Sequence, residues 1–324
     1  MKMDRRQFMK TSASTAAAIL MSRGHALAMS NPLSRDRNMK IHTRTLGKTG
    51  AKLSFIGFGG IVVMNAEPQH AKEVVADAVA RGINYFDVAP SYGDAEIKLG
   101  PALKPFRDKV FLACKTGKRD KTGAKQELDN SLKRLETDYF DLYQLHAISD
   151  VEKDVKAVMA KDGAIQTFIE AKKAGIIKHI GFTAHSAEAA IAAMQAFDFD
   201  TMMYPVNFCT HCRSKFEEPA IKEARRRNMG IIAIKAMALQ KWQTETGKRQ
   251  QYSKCWYEPI DEPKLARMAL SWTLSQDIAA ALPPGEERLF NLALSIAGDC
   301  KKLTNDEWME LENIAQRLQP IFPA

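Results

Sequence analysis

Residues 84–115 read NYFDVAPSYGDAEIKLGPALKPFRDKVFLACK, and they hold one complete turn of the pattern that decides the fold. NYFDVA (84–89) and VFLACK (110–115) are short apolar runs rich in strand formers, and the segment between them carries helical spacing over 94–103. Strand, helix and strand in that order make a βα unit, whose successive strands run parallel.

The same alternation continues on both sides. Further strand candidates are LSFIGFG (53–59), FDLYQLH (140–146), HIGFTA (179–184), TMMYPVN (201–207), GIIAIKA (230–236) and IAAALP (278–283), which brings the count to eight. Helical patterns fall between or after them at 69–81, 94–103, 124–137, 160–174, 186–197, 216–228, 263–275 and 286–298. Eight strand–helix repeats predict an α/β fold of the (β/α)8 TIM-barrel type, in which the sheet closes on itself and no strand is left at an edge. An open doubly wound sheet is the competing architecture, but FIGFGG (55–60) is followed by IVVMN and not by a helix, so the nucleotide-binding glycine turn of that fold is missing. RTLGKTGAKL (43–52) predicts a short hairpin ahead of the barrel, turning at GKTG. Residues 304–318 predict an extra C-terminal helix, capped by Thr304 or Asn305, with Asp306 and Glu307 in its first turn.

Ahead of the barrel, DRRQFMK (4–10) precedes the small, apolar run TSASTAAAILM (11–21), and Ala26-Leu27-Ala28 supplies an A-x-A cleavage site. Adjacent Arg5 and Arg6, followed by Phe8 and Lys10, resemble the twin-arginine export signal, which a receptor reads and which carries folded cargo. The expected organisation is a signal peptide over 1–28, a linker over 29–42 and a barrel domain over 43–324. Export machinery is thus an expected partner, and the mature chain is expected to be soluble in the periplasm or otherwise outside the cytoplasm. A cytoplasmic chain with a basic N-terminus is the alternative. No later stretch approaches the roughly 18 consecutive apolar residues of a membrane span.

The whole chain of 324 residues carries 47 Lys and Arg against 38 Asp and Glu, a formal charge of +9. Five of those cations lie in residues 1–28, against one acid, Asp4; the remainder is 42 minus 37, or +5. A mild positive balance attracts anionic ligands without implying nucleic acid. The basic run Arg225-Arg226-Arg227 ends a predicted helix, where cations complement the dipole.

In a barrel of this kind the chemistry lies where the strands end. Those ends carry Asp87, Tyr92 in the loop that follows, Lys115 and His146. An Asp and a Lys at a low-dielectric rim are expected to pair, since neither is cheaply buried alone. A neighbouring ammonium is expected to pull a tyrosine hydroxyl below its ordinary value of about 10, making Tyr92 a general acid. His146 is placed to orient a substrate oxygen. This set suits protonation of a carbonyl oxygen while a hydride reaches its carbon.

FDVAPSYGDAEIKLGPAL (86–103), VFLACKTG (110–117), LDNSLKRLETDYFDLYQLH (128–146) and HIGFTAHS (179–186) together resemble the aldo-keto reductases, over roughly residues 43–300. The resemblance implies a catalytic tetrad of Asp87, Tyr92, Lys115 and His146, a small-molecule aldehyde, ketone or sugar carbonyl as substrate, and NADP or NAD as cofactor. It is a divergent match in the nucleotide-binding half. The family's Ser-Asn pair after strand five is Thr183-Ala184 here, followed by His185; its Gln after strand six is Met203, with Asn207 nearby. The stacking aromatic after strand seven is Ile234, followed by Lys235. The expected cofactor contacts are therefore Thr183, His185, Asn207 and Lys235, with Gly285 and Arg288 in LPPGEERLFN (282–291) at a helix N-terminus that favours phosphate. Glu286 and Glu287 favour a free ribose hydroxyl over a 2′-phosphate, which leaves NAD against NADP open.

Cys209 and Cys212 form a C-x-x-C just past strand six, among five cysteines in all. In an exported chain it is either a disulfide or, with His211, His185 or Cys255, a metal or iron–sulfur site. A second C-x-x-C is missing and no metal is assigned. A binding or redox-partner barrel using this pair is the alternative function. YSKCWYEPI (252–260) places Trp256 and Tyr257 either in a substrate pocket or over the barrel mouth.

Overall fold

The computed structural model describes residues 41–243 and 247–322. The signal peptide assigned to 1–28 and all of the linker except Ile41 and His42 lie outside the described residues.

The hairpin comes first. β1 (Thr43–Thr45) pairs antiparallel with β2 (Lys52–Ser54) through a tight helical turn at Gly47–Thr49. Gly47 has φ +46, and a Cβ there would lie 2.3 Å from the Gly230 nitrogen, so only glycine lets the turn press against the barrel floor. The barrel strands are β3 (Phe58–Gly59), β4 (Tyr85–Asp87), β5 (Phe111–Thr116), β6 (Phe140–Ile148), β7 (Ile177–Ala184), β8 (Thr201–Pro205), β9 (Gly230–Ile234) and β12 (Ala280–Leu282). All run parallel in sequential order from β3 to β9, with β12 beside β9. The sheet closes through the Ile56–Ala281 bridge, where the Gly57 N–H donates to the Ala281 carbonyl at 3.0 Å. The architecture is the (β/α)8 barrel.

One strand differs from expectation. The run 53–59 is divided between two sheets, because Leu53 and Ser54 belong to the hairpin and Phe58 and Gly59 to the barrel. Between them the Ser54 hydroxyl donates to the Ile56 carbonyl at 2.7 Å, a local bond that competes with strand pairing.

Helices cover the outside: α1 (Pro68–Ala80), α2 (Ala95–Leu103), α3 (Lys121–Arg134), the short α4 (Ala157–Met159), α5 (Ala164–Lys173), α6 (Ala187–Ala196), α7 (Phe208–Ser214), α8 (Glu218–Arg226), the short α9 (Gly247–Gln251), α10 (Pro263–Leu274), α11 (Glu287–Ile296) and α12 (Asn305–Ala315). Their starts carry recognisable signals. Pro68 and Pro263 open α1 and α10, Asp120 and Ser186 cap α3 and α6, and Thr304 with Glu307 forms a capping box on α12. A second small hairpin, β10 (Ala238–Lys241) with β11 (Tyr257–Pro259), stands between β9 and α10.

Alternation along the strands separates two cores. One set of side chains meets the helices; the other, including Tyr85, Phe111, Ala113, Leu142, Met203, Ile232 and Leu282, fills the barrel together with Leu46 and Leu53 of the hairpin. The next inward positions toward the C-terminal ends are Asp87, Lys115, Gln144 and His146, so strand parity brings these polar groups to one rim.

Candidate active site

Asp87 and Lys115 are both almost fully buried and form an ion pair. The remaining bonds of the pair are filled from inside the barrel. Gln144 Nε2 donates to Asp87 Oδ1 at 3.0 Å, the Tyr85 hydroxyl donates to the same oxygen at 3.3 Å, and Lys115 Nζ donates to the Val88 carbonyl at 3.2 Å. Burial opposes the Lys115 charge, but Asp87 and Tyr92 outweigh it and raise its pKa, so the ammonium persists.

Tyr92 stands beside this pair, its ring centroid 5.2 Å from Lys115 Nζ and 6.0 Å from the His146 ring, which it meets edge-on. The expected lowering of its pKa is not what the site produces. Burial raises it, the Lys115 ammonium pulls it down, and burial prevails, leaving a protonated hydroxyl.

His146 is held by a bulge at the end of β6. Ala147 adopts φ +56, its N–H donates to Thr183 Oγ1 at 2.7 Å, and Arg119 Nη2 donates to the His146 carbonyl at 2.8 Å. Burial, with help from Lys115, drives the His146 pKa down to about 3; burial and then Lys235 take His185 to about 4. Both rings are uncharged at neutral pH.

A cavity of about 200 Å3 joins these groups. Asp87, Tyr92, Lys115 and His146 line it, as do Thr183, His185, Lys235 and Gly285. Met203 and Ile234 form apolar wall, and Trp256 and Tyr257 reach it through β11 and the residue before it. Two expected contacts lie elsewhere. Asn207 is buried and caps α7, accepting from the Thr210 N–H at 3.1 Å while its amide donates to the carbonyls of Lys235 at 2.9 Å and Ala238 at 2.7 Å. Arg288 is exposed in the first turn of α11 and does not line the cavity. The acids beside it are already engaged: Glu286 accepts from the Lys254 N–H at 2.8 Å and Glu287 pairs with His70 at 2.6 Å.

A larger cavity, about 880 Å3, lies at the opposite end of the barrel beneath the hairpin, far from these groups. Its Arg44 is occupied by the carbonyls of Leu274 and Ile278.

Gln144, Tyr85 and Arg119 were not expected at the site. Gln144 lies within FDLYQLH and Tyr85 within NYFDVA, where each reads as strand interior; strand parity with Asp87 was the available signal.

The cysteines do not converge. All five are free thiols, Cys209 buried and Cys212 half-buried on α7. Among the described residues, the one group of three or more ligating side chains whose atoms all lie within 4.8 Å of one another is His211, Glu217 and Glu218, and no cysteine is in it. His211 Nδ1 is 2.5 Å from Glu217, and Lys215 Nζ sits 3.1 Å from its Nε2.

This geometry has a family. The aldo/keto reductase profile matches residues 56–315, and the chain belongs to that family; the twin-arginine translocation signal profile matches residues 2–22. The chain is similar to the oxidoreductase YqkF of Bacillus subtilis, 32% identical over 154 residues that cover 43% of this chain and 48% of the relative. It is also similar to L-galactose dehydrogenase of Arabidopsis thaliana, 38% identical over 125 residues that cover 34% of this chain and 39% of the relative. It thus spans less than half the length of each of these curated relatives. In fold, it superposes on the holo form of an aldo-keto reductase from Bacillus halodurans with a TM-score of 0.66 and 22% identity, over 85% of this chain and 96% of that one. No helix among the described residues is long and apolar enough to cross a membrane.

Proposed function

We propose that the protein is an exported reductase of aldehyde, ketone or sugar carbonyls that draws its reducing equivalents from NADPH or NADH. The observation that carries this reading is the buried Asp87–Lys115 pair beside a protonated Tyr92 and an uncharged His146, all facing one cavity. Tyr92 gives its proton to the carbonyl oxygen of the substrate. Lys115 stabilises the tyrosinate left behind, and Asp87, fixed by Gln144 and Tyr85, keeps Lys115 charged and in place. A neutral His146 donates a hydrogen bond to the same oxygen without competing as a proton source.

The residues present suit a nicotinamide nucleotide. Gly285 offers a side-chain-free backbone at the cavity, and Glu286, ahead of the ten-residue α11, makes no side-chain cap, so first-turn N–H groups remain for a phosphate. Arg288 projects from that turn, with Thr183 and His185 at the cavity end. When bound, the nucleotide supplies the hydride. Glu286 accepts from the Lys254 backbone N–H and Glu287 meets His70, so both carboxylates have partners other than a ribose hydroxyl, which supports NADPH. A twin-arginine signal supports folding before transport, so that nucleotide is taken up in the cytoplasm and carried outward, with cleavage after Ala28, a linker over 29–42 and a mature barrel over 43–324.

The test uses protein exported on its own signal and purified without added nucleotide. Denaturing it and assaying released NADP and NAD, then titrating intact protein with NADPH and NADH, is expected to reveal avid binding. No binding at about millimolar nucleotide, corresponding to roughly −4 kcal/mol, ends the reductase reading.

A further inference from the structure

The charges around the cavity do not balance. Asp87 and Lys115 cancel, both histidines are neutral, and Lys254 Nζ is bonded to the Val62 carbonyl at 2.8 Å. Two ammoniums keep their charge: that of Lys254, held on a neutral carbonyl, and that of Lys235. The Lys235 Nζ lies 4.6 Å from the centre of the Tyr257 ring and 5.1 Å from that of Trp256, and among the described residues no carboxylate acts on it; burial pushes its pKa down to about 8. Two aromatic faces soften the cost of an isolated ammonium without neutralising it.

Its backbone is also unusual. Lys235 sits at φ +70, in the left-handed region where a residue with a Cβ is strained, and Asn207 and the Ala238 N–H pin its carbonyl there. Strain retained at a cavity wall calls for a reason beyond folding. The charge also lies at the chemical end of the cavity, since it acts on both His146 and His185.

We infer that Lys235 is a specificity-determining residue, and that the carbonyl substrate carries a carboxylate which pairs with its ammonium while the carbonyl oxygen meets Tyr92 and His146. The inference rests on the reductase reading and narrows its substrate class to small aldehydo or keto acids. A nucleotide phosphate is the other source of an anion, but it has its own donors in the first turn of α11 and in Arg288, outside the cavity.

The test compares wild-type protein with Lys235→Met, Lys235→Gln and Lys235→Arg. Each is assayed with NADPH and with NADH on glyoxylate and succinic semialdehyde, and on the amide of the first and the methyl ester of the second. Calorimetric titration with the same four compounds runs in parallel without nucleotide. The wild type is expected to favour the acids by about tenfold or more in kcat/KM, Met and Gln to collapse that ratio, and Arg to keep most of it. A wild-type ratio near one for both pairs, or a loss in Met and Gln shared equally by acids and neutral partners, overturns the inference. So does a rise in NADPH Kd with the acid preference intact, which assigns the ammonium to the nucleotide. If no carbonyl is reduced with either nucleotide, the reductase reading fails by itself. Calorimetry then still decides whether the carboxylates bind through Lys235. Thermal melting of each variant identifies any that does not fold, and the remaining substitutions carry the comparison.

Discussion

Asn207 holds Lys235 in place: its amide nitrogen donates to the Lys235 carbonyl at 2.9 Å across the gap between β8 and β9, and Lys235 keeps φ +70 there. The same side chain bonds the Ala238 carbonyl and caps α7, so one buried amide ties three elements at the rim. An amide buried with every bond filled is costly to truncate, because its partners stay behind without water.

Asn207→Ala is therefore expected to cost about 2–4 kcal/mol in urea unfolding, more than an ordinary surface change. The variant should also weaken the acid preference assigned to Lys235, since its backbone is released. A loss of stability near zero would show that the three bonds are not what keeps the rim together.

The catalytic assignment separates two kinds of variant. Tyr92→Phe removes only a hydroxyl and is expected to fold normally while kcat falls by about 100-fold or more. Lys115→Met leaves Asp87 buried without its counter-ion and is expected to lose about 3–5 kcal/mol as well as activity. Adding Asp87→Asn to Lys115→Met should recover much of that stability but none of the turnover. Full activity in Tyr92→Phe would remove Tyr92 as proton donor.

The proposed reading gives Arg288 the choice of nucleotide. It is exposed in the first turn of α11, and its acidic neighbours are engaged by Lys254 and His70. Arg288→Ala is expected to raise the NADPH Kd by about tenfold and to leave NADH binding where it was, as loss of one charge-assisted contact to a 2′-phosphate requires. Equal effects on the two nucleotides would place Arg288 away from that phosphate.

How much of this was readable beforehand follows from where each signal resides. Lys115 and His146 close apolar runs and Asp87 follows the apolar Tyr85-Phe86, so their positions at strand ends follow from period and count, and parity carries them to the same rim. Gln144 and Tyr85 sit inside such runs, and nothing local distinguishes a polar residue that supports Asp87 from one that is simply tolerated. The direction of the Tyr92 pKa depends on weighing burial against one ammonium, and burial is a property of the assembled barrel. Asn207 was expected to meet a cofactor, but its partners lie just past β9 and at the start of β10, a strand of a hairpin too short to announce itself by alternation. The solitude of Lys235 among the described residues is the hardest to read, because it is a statement about every described acid that does not reach it.

That solitude has a pH signature. The folded protein gives up the Lys235 proton at about 8, whereas an unfolded chain holds it to the ordinary 10.5. Between these values the unfolded state binds more protons than the folded one, so this residue makes stability rise with pH across the window; the gain is complete above 10.5 and is lost as pH falls toward 8. Burial is the cause, and the nearby Cys255 thiol acts in the opposite sense. Urea unfolding of wild type and Lys235→Met at a series of pH values isolates the effect, because titrations shared by both proteins cancel. The wild type is expected to gain on the variant as pH rises from 8 to 10.5. In the same window acid binding should fade, since the ammonium that pairs with the carboxylate disappears. A constant difference between the two proteins would mean that Lys235 keeps its proton in the folded state, and that water or an anion already solvates it.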